Sequence, residues 1–193
     1  MMSPDELQRT LSTVPRIPLA HLPTPLEFLE ALSSELSGPR IYMKRDDQTG
    51  LAFGGNKSRK LEFIMADVVE SGADSVVTWA GVQSNWCRQV AAAAVRIGKT
   101  PVLALLKRPG LPAEEDGNLL IDRIFGAEIH VIEATSEKGF LELENARPFL
   151  QFVLDGEEAA GRKVYLAPIG GSLMEGSMTR PLGAMGYLAG FGE

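Results

Sequence analysis

From residue 41 onward the chain alternates short β-branched runs with longer helical patterns closed by glycine, and no other feature restricts its fold as much. Residues 41–44 read as a strand, 58–71 as a helix closed by Gly72, and 75–79 as a second strand. A helix over 85–97 ends at Gly98, a strand covers 101–106, a helix over 118–125 ends at Gly126, and 128–133 is again a strand. A longer helical region, 140–160, is interrupted at Pro148 and capped by Gly161 before a strand over 163–167. Strands separated by helices of this length cross over right-handedly. They give an α/β architecture, an open parallel sheet with helices on both faces. Ligands of such sheets bind at the carboxyl ends of the strands, beside helix N-termini.

The two ends break this rhythm. Residues 1–40 carry Pro15, Pro18, Pro23 and Pro25, with one helical stretch over 25–36, and read as an arm lying on another part of the fold. At the other end Gly170-Gly171-Ser172 repeats the strand-then-glycine logic, and Pro181 opens a helical segment. Residues 181–193 are expected to have little to pack against, leaving Leu182, Met185, Leu188 and Phe191 exposed for association with another polypeptide.

Composition narrows the function classes. At 193 residues and 45% hydrophobic, the chain can bury a core, as one large domain or two small ones. A net charge of −6, with no basic stripe, argues against nucleic acid as a partner. Cys87 is the only cysteine, which rules out an intrachain disulfide and fits a reducing compartment. No secretory signal is visible at the start, and apolar runs such as 90–95 are far too short to span a bilayer. A cytoplasmic protein with no membrane partner is expected.

Two turns carry the chemistry. Gly54-Gly55-Asn56-Lys57-Ser58-Arg59-Lys60 places a lysine in a glycine-lined turn at a helix start, and Gly81-Val82-Gln83-Ser84-Asn85 is a second polar turn opening a helix. Glycines let backbone N–H groups approach a ligand, and helix N-termini add the positive end of a dipole, so both suit an anionic small molecule. Lysines are mostly solvated surface residues. Three basic residues in one first turn oppose the dipole, however, and make sense if an anion neutralises them. Ser84 and Asn85 suit an N-cap, yet Gln83, Ser84 and Asn85 together offer more hydrogen-bonding groups than a cap requires.

Other sites are weaker. Gly50 and Gly55 bracket four residues before Lys57-Ser58, but Asn56 breaks the spacing of a nucleotide-hydrolase phosphate loop by one residue. His21 and His130 lack metal-ligand spacing, so no metal is expected. Asp46 and Asp47 read as solvated or capping carboxylates, and no dinucleotide-binding glycine fingerprint occurs.

The stretches 54–62, 81–91 and 117–123, in consistent order over about 19–187, resemble the D-cysteine desulfhydrase and 1-aminocyclopropane-1-carboxylate deaminase family. That resemblance implies pyridoxal 5'-phosphate as cofactor and the tryptophan synthase β-like fold (fold type II). By it, Lys57 forms the Schiff base and Lys60 approaches the cofactor phosphate. Asn85 lies beside the ring hydroxyl and, with Ser84, meets the substrate carboxylate, and Ser84 serves in proton transfer. It also implies three regions: an arm over 1–40 belonging to a large domain, a small α/β domain over 41–170 carrying the Schiff-base lysine, and the start of an incomplete large domain over 171–193. The implied activity is a lyase or deaminase acting on a small amino acid, with α,β-elimination from D-cysteine preferred because Trp86 and Cys87 stand where the cyclopropane deaminases carry polar residues. Ring opening, an inactive truncated relative, and a phosphate-loop-like nucleotide binder are the alternatives, and a homo-oligomer or a companion chain is the expected assembly.

Overall fold

The computed structural model describes residues 3–110, 115–134, 143–191 and 193. The arm begins with helix α1 (Pro4–Leu11), started by a capping box in which Ser3 and Glu6 each satisfy the other's backbone N–H. It continues through strand β1 (Leu26–Phe28), the short helix α2 (Glu30–Glu35) and strand β2 (Tyr42–Lys44). The helix expected over 25–36 is therefore split, because Leu26, Glu27 and Phe28 pair with Lys44, Met43 and Tyr42 in an antiparallel two-stranded sheet of their own. That pairing also removes residues 41–44 from the parallel sheet. Both strands are three residues long and partly exposed, unlike the continuous apolar runs that burial on two faces demands.

The alternating region then proceeds through α3 (Lys57–Ser71), β3 (Ser75–Gly81), α4 (Asn85–Arg96), β4 (Thr100–Lys107), α5 (Gly117–Ile124), β5 (Glu128–Glu133), α6 (Leu143–Ala159), β6 (Val164–Leu166) and α7 (Leu182–Gly190). The sheet order is β5-β4-β3-β6 and every pairing is parallel. Pro148 lies within α6 and does not end it, while residues 140–142 of the expected helix fall outside the described ones.

The period-two pattern of the strands divides the core. Val76, Ala80, Leu103 and Leu105 join α3 and α4 on one face, whereas Val77, Trp79, Val102, Ala104 and Leu106 join Ala146, Leu150 and Val153 of α6 on the other. This is the two-faced sheet that the alternation requires.

Helix α3 is enclosed rather than amphipathic. Residues 58–66 are all buried, because α4 covers one side and α7 with the arm covers the other. Glu62 fastens the arm: its buried carboxylate accepts the N–H groups of Leu19 and Ala20, each at 2.9 Å, and pairs with Arg16. The final helix is better packed than expected. Leu182 is buried, and Gly186 lies so close to α3 that a Cβ there would stand 2.5 Å from the Arg59 carbonyl oxygen. Leu188 and Phe191 do remain exposed.

Candidate active site

The N-termini of α3, α4 and α5 gather at the carboxyl end of the sheet. Helices α4 and α5 follow the ends of β3 and β4, and α3 runs back toward the start of β3, so its first turn lies at the same end. Each contributes the positive end of its dipole.

Two short 3-10 turns, Asp46–Gln48 and Leu51–Phe53, lead into the Lys57 turn. Ala52 (φ 46°) and Phe53 (φ 67°) occupy the left-handed region, which costs a side-chain-bearing residue about 1–2 kcal/mol. Gly54 has φ 75° and a backbone so near Asp47 that a Cβ would be 2.0 Å from its carbonyl oxygen. Buried hydrogen bonds hold this tight path. Gly55 N–H donates to Thr49 Oγ1 at 2.8 Å, Gln89 Nε2 donates to the Gly54 carbonyl at 2.9 Å, and Ser58 Oγ donates to Gln89 Oε1 at 2.8 Å.

The three basic residues that follow have different surroundings. Lys57, the first residue of α3, is half-buried and makes no hydrogen bond or ion pair with a described residue. Arg59 is buried and neutralised inside the protein, by Asp46 at 2.8 Å and Glu193 at 2.7 Å, so it needs no external anion. Lys60 donates to the Gly170 carbonyl at 2.8 Å and to Ser172 Oγ, with its ammonium 4.8 Å above the Tyr187 ring. Burial, reinforced by the nearby Lys57 charge, pulls the Lys60 ammonium down to about 8. Asn56, which spoils the nucleotide-loop spacing, donates to the Tyr187 hydroxyl at 2.7 Å and thereby ties the lysine turn to α7.

The second turn keeps both expected residues at the head of α4. Ser84 is the N-cap, accepting from Trp86 N–H and Cys87 N–H at 3.2 Å each. Asn85 is exposed, and its Oδ1 accepts from Arg88 Nη1 and Asn118 Nδ2, both at 3.0 Å. Arg88 also reaches the Gly54 carbonyl at 3.3 Å, so one carbonyl joins the lysine turn to α4. Asn118, which opens the third motif, bridges to Gln83 through its backbone N–H and its side chain. The three separated stretches thus meet in space. Asn118 and Tyr187 carry site structure that the sequence left without a role, although Asn118 follows a glycine after a strand, as Ser84 and Asn85 do.

Trp86 and Cys87 point the other way. Trp86 Nε1 donates to Thr78 Oγ1 at 2.8 Å inside the core, and Cys87 is fully buried, which pushes its thiol up and leaves it inert. Neither faces the cluster, so neither discriminates between substrates by contact there.

Residues 17–171 match the family described as pyridoxal-phosphate dependent enzyme. The chain belongs to that family. D-cysteine desulfhydrases of Salmonella paratyphi B and Salmonella newport are 42% identical to it over 182 residues, which is 92% of this chain and 50% of theirs. A crystal structure titled as an ACC deaminase homologue superposes with a TM-score of 0.79 at 34% identity, over 94% of this chain and 50% of that one. Threonine deaminase isoform 2 from Solanum lycopersicum shares the fold, with a TM-score of 0.63 at 20% identity over 98% of this chain and 44% of that one. The chain therefore spans about half the length of the relatives it matches. Its fold is that of the pyridoxal-phosphate dependent enzymes, and a lysine amine without a partner among the described residues, at a helix N-terminus, fits the aldehyde cofactor of this family. Among the described residues, no helix is long and apolar enough to cross a membrane.

Proposed function

We propose that this chain supplies the lysine-bearing part of a pyridoxal-phosphate dependent lyase that acts on a small amino acid, with D-cysteine as the preferred substrate. The observation that carries the reading is Lys57: its amine has no partner among the described residues, while Arg59, two residues on, is completely paired. An amine reserved in this way is available to hold the cofactor. The assignment to D-cysteine follows the desulfhydrases at 42% identity.

In this reading the cofactor, when bound, supplies an electron sink that makes the substrate α-proton removable. Lys57 holds the cofactor through its amine and, once released, takes that proton. Ser84 stands at the head of α4 with a hydroxyl proton not needed for capping, and it assists proton transfer. Asn85 offers its Nδ2 to a ring oxygen or to the substrate carboxylate, and Lys60 contributes positive charge toward the phosphate. Loss of the α-proton and departure of the β-thiolate leave 2-aminoacrylate, which water converts to pyruvate and ammonia. Ring opening of a cyclopropane amino acid is the second reading, favoured by the 34%-identical structure of the ACC deaminase homologue.

Residues 1–40 and 171–193 are assigned in this proposal to a large domain, completed by further chain or by a partner polypeptide. The buried free cysteine agrees with residence in the cytoplasm. Borohydride trapping with pyridoxal phosphate, followed by peptide mapping, is expected to label Lys57. Label on a different lysine, with Lys57 unmodified in folded protein, refutes the assignment. Release of pyruvate and sulfide from D-cysteine, against ammonia and 2-oxobutyrate from the cyclopropane substrate, separates the two readings.

A further inference from the structure

Two amides at the head of α4 and α5 are oriented by a residue that can only donate. Arg88 Nη1 lies 3.0 Å from Asn85 Oδ1 and 2.7 Å from Asn118 Oδ1. A guanidinium has no acceptor atom, so both asparagines must turn oxygen toward it. With its oxygen fixed, Asn118 directs Nδ2 to the Gln83 carbonyl at 2.8 Å and to Asn85 Oδ1 at 3.0 Å. Gln83 completes the arrangement: its Oε1 accepts Asn118 N–H at 2.8 Å and its Nε2 donates to Asp116 Oδ1 at 3.0 Å. Reversing the Asn85 amide would set its NH2 group against two donors.

We infer that Arg88 and Asn118 are positioning residues that lock the Asn85 amide with Nδ2 turned outward, so that Asn85 presents a ligand with a donor and never an acceptor. Asn85 is exposed, and its Nδ2 bonds to no described residue. A locked donor selects a deprotonated oxygen, such as a phenolate-like ring oxygen or a carboxylate, over a hydroxyl that must donate. Because Arg88 Nη2 also reaches the Gly54 carbonyl, the lock is attached to the turn that bears Lys57. The buried carboxylate of Asp122 attracts the Arg88 guanidinium by charge but accepts no hydrogen bond from a described residue, so the directional bonds of Arg88 Nη1 go to the two amides. The identity of the ligand rests on the pyridoxal-phosphate reading, whereas the lock rests on this chain alone.

The test uses the full chain, labelled with 15N, and reads the Asn85 side-chain NH2 resonances, assigned by their loss in Asn85→Asp. In Asn118→Leu these resonances are expected to move toward free-amide positions, with faster rotation about the C–N bond. Asn118→Asp keeps the acceptor for Arg88 and removes the donor to Asn85, so it gives the same change in a nearly isosteric side chain. Resonances unchanged in both folded variants overturn the lock. Titration of the complete assembly with pyridoxal phosphate, followed by absorbance, supplies the second readout. Asn118→Leu and Asn85→Leu are each expected to weaken binding about tenfold, the scale of one good hydrogen bond, and the double variant to be no weaker than Asn85→Leu alone. Additive losses also overturn the inference, since Asn118 would then act independently of Asn85. A complete assembly that binds no cofactor refutes the proposed function, and the resonance comparison on this chain still decides the lock.

Discussion

Helix α3 meets its neighbours in two different ways, and the contrast supports the proposed site. Toward α4, the first turn is joined by polar groups that converge on the Gly54 carbonyl, and Lys57 is left without a partner among the described residues. Toward α7, the same turn is closed by glycine-mediated backbone contact and by the Arg59, Asp46 and Glu193 cluster, with Arg59 only 2% exposed. A basic first turn is therefore not by itself an anion site. What matters is which charges the fold leaves unmatched, and here one side matches its arginine while the other leaves a lysine amine unmatched among the described residues.

Substituting the two residues separately is the sharpest way to break this comparison. Lys57→Ala is expected to abolish reductive trapping of the cofactor and to change stability by no more than about 0.5 kcal/mol, the usual scale for a site without structural partners. Arg59→Ala strips Asp46 of its counter-charge and leaves Glu193 with Lys44 alone, and it is expected to cost about 3 kcal/mol, as when one member of a buried pair is removed. Chemical denaturation of both variants checks the contrast, and equal stability losses would erase the proposed division of labour.

The close contact with α7 supplies the next effect in size. A valine at position 186 would press on the α3 backbone at Arg59, which cannot yield as a flexible side chain does, and Gly186→Val is expected to cost about 1–3 kcal/mol. Gly98→Ala is the control. Unlike Gly186 it has a positive φ, of 71°, but nothing lies within 4 Å of the added Cβ, so only the conformational cost of about 1 kcal/mol applies. Denaturant midpoints that fall equally for both would show that α7 does not pack on α3 as described.

The same contrast explains what the sequence disclosed. The sheet side was legible because its order is local: Val76 and Val77 fall on opposite faces by simple alternation, and Gly72, Gly98 and Gly126 follow the ends of α3, α4 and α5. The placement of Lys57, Ser84 and Asn85 at helix starts was legible because polar turns stand out against apolar runs. The arm side was not, since its order is made by partners far apart in the chain. Arg59 meets Glu193 across 134 positions and Asn56 meets Tyr187 across 131. Neither pair leaves a periodic trace. Residues 41–44 misled for the same reason, because a three-residue strand has the same appearance in either sheet and only its partner decides. Trp86 was weighed through the family resemblance alone, and its direction was not legible: helical geometry turns it inward to Thr78.

Ser84 allows a finer test, because it caps α4 as well as standing in the proposed site. Ser84→Ala removes both roles and is expected to cost about 1 kcal/mol of stability, along with a drop of about 10²–10⁴-fold in D-cysteine turnover by the complete assembly. Ser84→Gly restores most of the cap, at a cost of only a few tenths of a kcal/mol, and leaves turnover low. Recovery of turnover in the glycine variant would reduce Ser84 to a cap.

The smallest expected effect is a difference in pH response between the two sides. On the arm side, Glu193 is partly raised by burial, but Arg59 and Lys44 outweigh this and hold its carboxyl down at about 2. An acid depressed by folding stabilises the native state above its unfolded value near 4.5, and that contribution is lost as pH falls from there toward 2. On the sheet side, Asp122 is fully buried, and this burial raises its carboxyl to about 7 despite the opposing charge of Arg88. The native state then holds the extra proton between about 4 and 7, so the stability associated with Asp122 falls as pH rises through that range. The two slopes have opposite signs in adjoining windows. Asp122→Asn is expected to flatten the decline from pH 4 to 7 and to leave the acid limb unchanged, whereas Glu193→Gln should flatten the acid limb alone. Thermal unfolding of the three proteins at intervals between pH 2 and 8 checks this. A single slope shared by both variants would mean that the titrations are coupled across α3, and the separation of its two sides would fail.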